Sequence, residues 1–339
     1  MRKLLLFIFC MTIFLLTACS QEENPEQGTA DEDTITVYTT LYPLEYFTKQ
    51  IGKEFVNVQT ILPQGSDPHS FEPTSKMMVD IAEADLFIYN GADMESYAKT
   101  MEDALKQEEV SILEAADGIS LTEHHHENSE SESEEAHSHN ETAHIEESDA
   151  HEEDSHEHES DHEHGDVDPH IWLDPLKSVQ LAENIKERLI ELLPEQTDYF
   201  EENFHQLEER LIQLDTSFHT TIDNAKKKEI LVTHAAYGYW EQSYGLQQLA
   251  ISGISPSDEP SQKEIERIIE RVKEHGIKYL LFEQNIEPKV ASVIQEEANV
   301  ESLQLHNISV LTEEDVSNEE DYFTLMERNL EVLNEALEY

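Results

Sequence analysis

Residues 34–62 read TITVYTTLYPLEYFTKQIGKEFVNVQTIL. Two runs in this stretch, TITVYT (34–39) and NVQTIL (57–62), have the β-branched, short-run pattern of strands. The segment 41–51 between them reads as a helix. Strand, helix and strand in that order form a βαβ unit, and the pattern continues. Residues 75–84 look helical, 85–89 (DLFIY) strand-like, 95–105 helical and 110–113 strand-like. Such alternation predicts a parallel sheet covered by helices.

A helix is then expected from Asp174-Pro175 to 193, and Pro194 is expected to open a longer one reaching about residue 224. Phe200, Phe204, Leu207, Leu211, Leu214, Phe218 and Ile222 step by three or four along it, which is one helix face. No Gly or Pro interrupts it, and its length would be roughly 40 Å. A second alternating series follows: strands at 229–233 (EILVT), 246–251, 278–282 (KYLLF) and 302–305, and helices at 236–244, 262–275, 288–298 and 322–337. The fold class expected is α/β, two lobes with parallel sheets flanked by helices, bridged by one long helix. A single continuous doubly wound sheet is the alternative.

The N-terminus reads as a targeting signal. Met1-Arg2-Lys3 is a positive start, 4–16 an apolar run too short for a comfortable membrane span, and Leu16-Thr17-Ala18-Cys19-Ser20 resembles a bacterial lipobox. Cleavage before Cys19 would leave a thiol to carry diacylglycerol and hold the protein on the outer face of the membrane. Cys10 departs with the leader, so no disulfide or Cys-x-x-Cys metal site remains. The domain plan is a leader at 1–18, a lipidated tether at 19–33, a first lobe at 34–193 with an insert at 123–167, a linking helix at 194–225 and a second lobe at 226–339.

That insert is nearly all histidine and acid. His124, His125, His126, His137, His139, His144, His151, His156, His158, His162 and His164 fall in it, eleven of the chain's 18 histidines. With no Lys, Arg or aromatic and Ile145 as the only large aliphatic between His124 and His164, it is expected to be disordered and to bind divalent transition metals weakly and in numbers. Acid alone would make it a solvated linker. The formal net charge of −54 argues against a nucleic-acid partner and suits a protein that handles cations.

Four residues outside the insert stand out because loops beyond the carboxyl ends of strands are where α/β proteins place ligands. His69 lies in GSDPHSFEP (65–73), His170 in DPHIWLDP (168–175), His234 after EILVT and Glu283 after KYLLF. Three imidazoles and one carboxylate suit tetrahedral Zn²⁺. Asp67 and Asp168, each two residues before its histidine, either accept a ring N–H or start their turns.

The segments GSDPHSFEP, DPHIWLDP, VTHAAYGY, FEQNIEPK and ISPSDEPS together resemble the metal-binding solute-binding proteins of bacterial ABC importers (cluster A-I), of the zinc-specific ZnuA/AdcA type. The resemblance runs from about 34 to 339 in the family's order. It implies two α/β lobes with metal in the cleft between them, held by His69, His170, His234 and either Glu283 or water. It implies Zn²⁺ as transported substrate rather than resident cofactor, an ABC permease and a cytoplasmic ATPase as partners, and a monomer. Manganese relatives carry carboxylates at the third and fourth positions, where His234 favours a nitrogen-preferring ion. An adhesin of the same fold and a zinc hydrolase are the rival readings. No H-E-x-x-H or nucleophile elbow supports the hydrolase.

Overall fold

Strand β1 (Ile35–Thr39) buries Ile35, Val37 and Thr39 and leaves Thr36 and Tyr38 half-exposed, the period-two pattern expected of its sequence. It pairs in parallel with β2 (Val56–Thr60) on one side and β3 (Leu86–Tyr89) on the other. β3 is buried at all four positions, and β4 (Ser111–Glu114) completes a sheet of order β2-β1-β3-β4. The helices α1 (Tyr42–Gly52), α2 (Ser75–Ala82) and α3 (Ala98–Leu105) are the crossovers. This is a computed structural model that describes residues 34–123, 167–284 and 289–338. The leader, the tether with Cys19 and all eleven insert histidines lie outside the described residues.

The second sheet repeats the first. β5 (Glu229–Val232), β6 (Gln247–Ala250), β7 (Tyr279–Glu283) and β8 (Glu301–Leu305) run parallel in the order β6-β5-β7-β8. Helices α6 (Gly238–Tyr244), α7 (Gln262–His275), α8 (Lys289–Ala298), α9 (Glu313–Ser317) and α10 (Tyr322–Leu337) accompany it, after α4 (Pro175–Leu192) and α5 (Thr197–Asn224). Two separate sheets replace the alternative of one continuous sheet. In each order the strand sequence reverses beside the first strand, so β1/β3 and β5/β7 frame the switch points where ligands bind.

Three local differences from the sequence-based expectations have simple causes. Pro194 opens a 3₁₀ turn (Pro194–Gln196) before α5 begins at Thr197, because Leu193, ahead of the proline, is held out of the helical region at φ −130°, ψ 67°. The helix expected from 236 starts at Gly238, since the chain first turns to close the His234 loop, with Ala236 N donating to His234 O. Helix α9, too short for periodicity, exists through a capping box between Thr312 and Asp315.

Helix α5 is 28 residues long and buries the anticipated stripe of Phe200, Phe204, Leu207, Leu211, Leu214, Phe218 and Ile222. It packs on α1 and α4 from the first half and on α6 and α10 from the second. One hydrophobic core therefore runs from Ile35 to Leu337, and Ile35–Tyr339 forms a single compact unit. A smaller cluster, including Leu231, Ile268, Leu280 and Ile294, fills the space between the second sheet and α7 and α8. The closing helix returns to the first half, where the Tyr322 hydroxyl donates to Trp172 O at 2.7 Å and its ring stacks on Tyr46. Among the described residues no helix is long and apolar enough to cross a membrane.

Candidate metal centre

His69, His170 and His234 come together although they are separated by up to 165 positions in sequence (234 − 69). His69 sits in the loop between β2 and α2, where Asp67 Oδ1 accepts its backbone N–H at 3.1 Å and Asp67 Oδ2 takes the Ser70 hydroxyl at 2.8 Å. That carboxylate makes the turn and does not reach the ring. His170 differs from the strand-end expectation. It follows an isolated antiparallel bridge between Glu123 and Val167 instead of a strand, and leads into a 3₁₀ turn, Ile171–Leu173.

His234 owes its place to register. Val232 pairs with Leu281 across β5 and β7, so two residues further on His234 stands beside Glu283. Glu283 is the last residue of β7 itself, one place earlier in the fold than a loop position.

The Nε2 atoms converge. His69 Nε2 and His234 Nε2 each lie 3.3 Å from His170 Nε2, and one ligand atom from each ring falls within 4.8 Å of the others. His170, His234 and Glu283 are 2, 1 and 3 % exposed, while His69 is half-buried. Burial, then the neighbouring His170 and His234 rings, push the His69 pKa down to about 3, against a smaller opposing pull from Asp67. His69 is therefore neutral at physiological pH and has no proton to give up before it can ligate a metal.

Behind the rings stand carboxylates. His170 Nδ1 meets Asp168 Oδ1 at 2.7 Å, and the same oxygen accepts the His170 backbone N–H at 2.9 Å. Here the Asp-Pro-His turn and the ring contact are both made. His234 Nδ1 lies 2.5 Å from Glu283 Oε1, within ion-pair range but without hydrogen-bond alignment. Glu283 also accepts from the Thr233 hydroxyl at 3.3 Å and from Asn307 Nδ2 at 2.5 Å. Its carboxylate thus occupies the Nδ1 edge of His234, while the three imidazoles meet at the Nε2 edge. Tyr237, Tyr239 and Trp240, just past His234, are all buried.

Sequence reasoning misses two participants. Asn307, in the loop after β8, holds Glu283 and accepts the Trp172 indole N–H at its carbonyl, 2.7 Å away. Its position beyond a strand end is the one available signal. Gly238, whose N–H bonds Asp168 Oδ2 at 3.1 Å, carries no signal at all.

Paired α/β halves on a helical spine, with three imidazoles gathered between their sheets, define a protein of the two-lobed ligand-binding class. The chain belongs to the family described as zinc-uptake complex component A, periplasmic, which matches residues 37–336. It is 34 % identical over 337 residues to the zinc-binding protein AdcA of Streptococcus pyogenes, covering 98 % of this chain and 61 % of that one. It therefore spans about three fifths of the length of such AdcA relatives. The high-affinity zinc uptake system protein ZnuA of Bacillus subtilis is 33 % identical over 332 residues, with 98 % and 97 % covered. Among solved structures, the Zn(II)-bound ZnuA-like domain of Streptococcus pneumoniae AdcA superposes with a TM-score of 0.70 at 30 % identity, covering 90 % of this chain and all of that one.

Proposed function

We propose that this chain is the extracytoplasmic receptor of a zinc-uptake system, taking Zn²⁺ between its two sheets and passing it to an ABC permease powered by a separate ATPase. The observation that carries this is the convergence of three imidazole Nε2 atoms from loops of both halves. Three imidazole nitrogens suit Zn²⁺ better than Mn²⁺, which prefers oxygen. The names of the similar AdcA and ZnuA proteins support the same ion.

His69, His170 and His234 are the nitrogen ligands. Glu283, a buried carboxylate in contact with His234 at the end of β7, is the fourth. To ligate, it turns past the ring edge and releases His234 Nδ1. With four protein ligands no position remains for an activated water, so the ion is carried and not used in chemistry. Cys19 supplies the lipid anchor, and the insert histidines form a weak accessory reservoir.

Titration of the metal-free chain with Zn²⁺ against a competing chelator tests the assignment. About one tight ion per chain is expected, weakened by His69→Ala, His170→Ala or His234→Ala and less severely by Glu283→Ala. Undiminished affinity in all three histidine variants overturns it.

A further inference from the structure

We infer that Asp168 and Gly238 form a latch that positions His170 for metal by tying its ring to the opposite half of the molecule. The proposal deepens the zinc-receptor function and rests on it for the affinity readout alone. Asp168 divides its carboxylate. Oδ1 serves the His170 ring Nδ1 and backbone N–H, while Oδ2 accepts the Gly238 N–H at 3.1 Å from the start of α6, four residues after His234. The Tyr239 hydroxyl adds a bond to Asp168 O at 2.9 Å. An ionised carboxylate only accepts, so the proton of a neutral His170 sits on Nδ1 and its lone pair is on Nε2, facing His69 and His234. One carboxylate thereby sets both the His170 tautomer and the distance between the His170 and His234 loops.

Gly238 is what lets the two sides approach. A Cβ there would stand 2.5 Å from Asp168 Oδ2, inside van der Waals contact. Any other residue must push the carboxylate away. Asp168 and Gly238 also line a cavity of about 960 Å³ with Ala235 and Gln242, which gives a displaced carboxylate room without dismantling the fold. Asp67, by contrast, bonds only its own loop, so the two Asp-Pro-His turns do different work.

The test uses the full chain as wild type, Gly238→Ala, Asp168→Asn and the double variant. Long-range ¹H–¹⁵N NMR of the metal-free proteins reads the His170 tautomer. Nδ1–H is expected in the wild type and a mixture in Gly238→Ala. Chelator competition with Zn²⁺ should then show each single variant weakened by about 10–100-fold. The double variant should be no weaker than Asp168→Asn within about twofold, because Gly238 acts through Asp168. Wild-type tautomer and affinity in Gly238→Ala, or losses that multiply in the double variant, overturn the latch. A wild type without tight zinc instead overturns the receptor function, while the tautomer comparison still decides the latch.

Discussion

An imidazole packed beside two others resists protonation, because the charged form loses water and meets the partial charges of its neighbours. His69 is that group, with a pKa lowered from 6.5 to about 3. The unfolded chain binds the proton that the fold excludes, so this contribution to stability is present above pH 6.5 and lost as pH falls toward 3. Glu95 acts in the opposite sense. It is fully buried, accepts from Thr40 Oγ1, Asn90 N and Gly91 N, and burial raises its pKa from 4.5 to about 7. Its contribution is present below pH 4.5 and lost as pH rises through 7. Urea midpoints of the metal-free protein across pH should therefore fall less steeply below pH 6.5 in His69→Ala than in wild type. An equally steep acid limb in that variant refutes the burial of a neutral His69 as its cause. At this scale the three histidines were legible because two lie in Asp-Pro-His turns and His234 directly follows a strand, whereas Asn307 and Gly238 were not. Their roles exist only through what the fold brings against them.

At the scale of elements, α5 carries the shared core. Leu211 is wholly buried midway along it. Leu211→Ala is expected to cost about 2–5 kcal/mol by lost burial and the cavity left behind, measured by urea denaturation. Tight zinc binding should survive, since Leu211 lies on the spine and not in the loops around His69, His170 and His234. A loss below about 0.5 kcal/mol would contradict the spine's role. This helix was readable from its stripe because a 3.6-residue period over 28 residues leaves little else to form. The five residues of α9 were unreadable for the converse reason, as two capping side chains and no period make them helical. The Pro194 turn shows the same limit: Pro is compatible with the first turn of a helix and equally with a 3₁₀ turn before one.

For the whole molecule, the division of labour between the cleft and the insert can be tested directly. Glu123 and Val167 pair in an antiparallel bridge, so the ends of the insert lie side by side and a short linker can rejoin them without disturbing Asp168. Removing residues 124–166 should leave about one tight Zn²⁺ per chain and abolish the weaker equivalents, read by calorimetric titration. Tight binding that disappears with the insert would move the site out of the cleft.

The sequence by itself determined the two βαβ series, the long amphipathic spine, the Asp-Pro-His turns of His69 and His170 and the strand end at His234. Those are properties of local period and turn chemistry, which neighbouring residues dictate. Only the tertiary structure decided that the two series form separate sheets of the same strand order. It alone brought one ring nitrogen from each of three histidines within 4.8 Å, set Glu283 against the far nitrogen of His234, and let Asp168 reach Gly238. These depend on strand register, on a glycine's missing Cβ and on a core shared by both halves, none of which any single segment encodes.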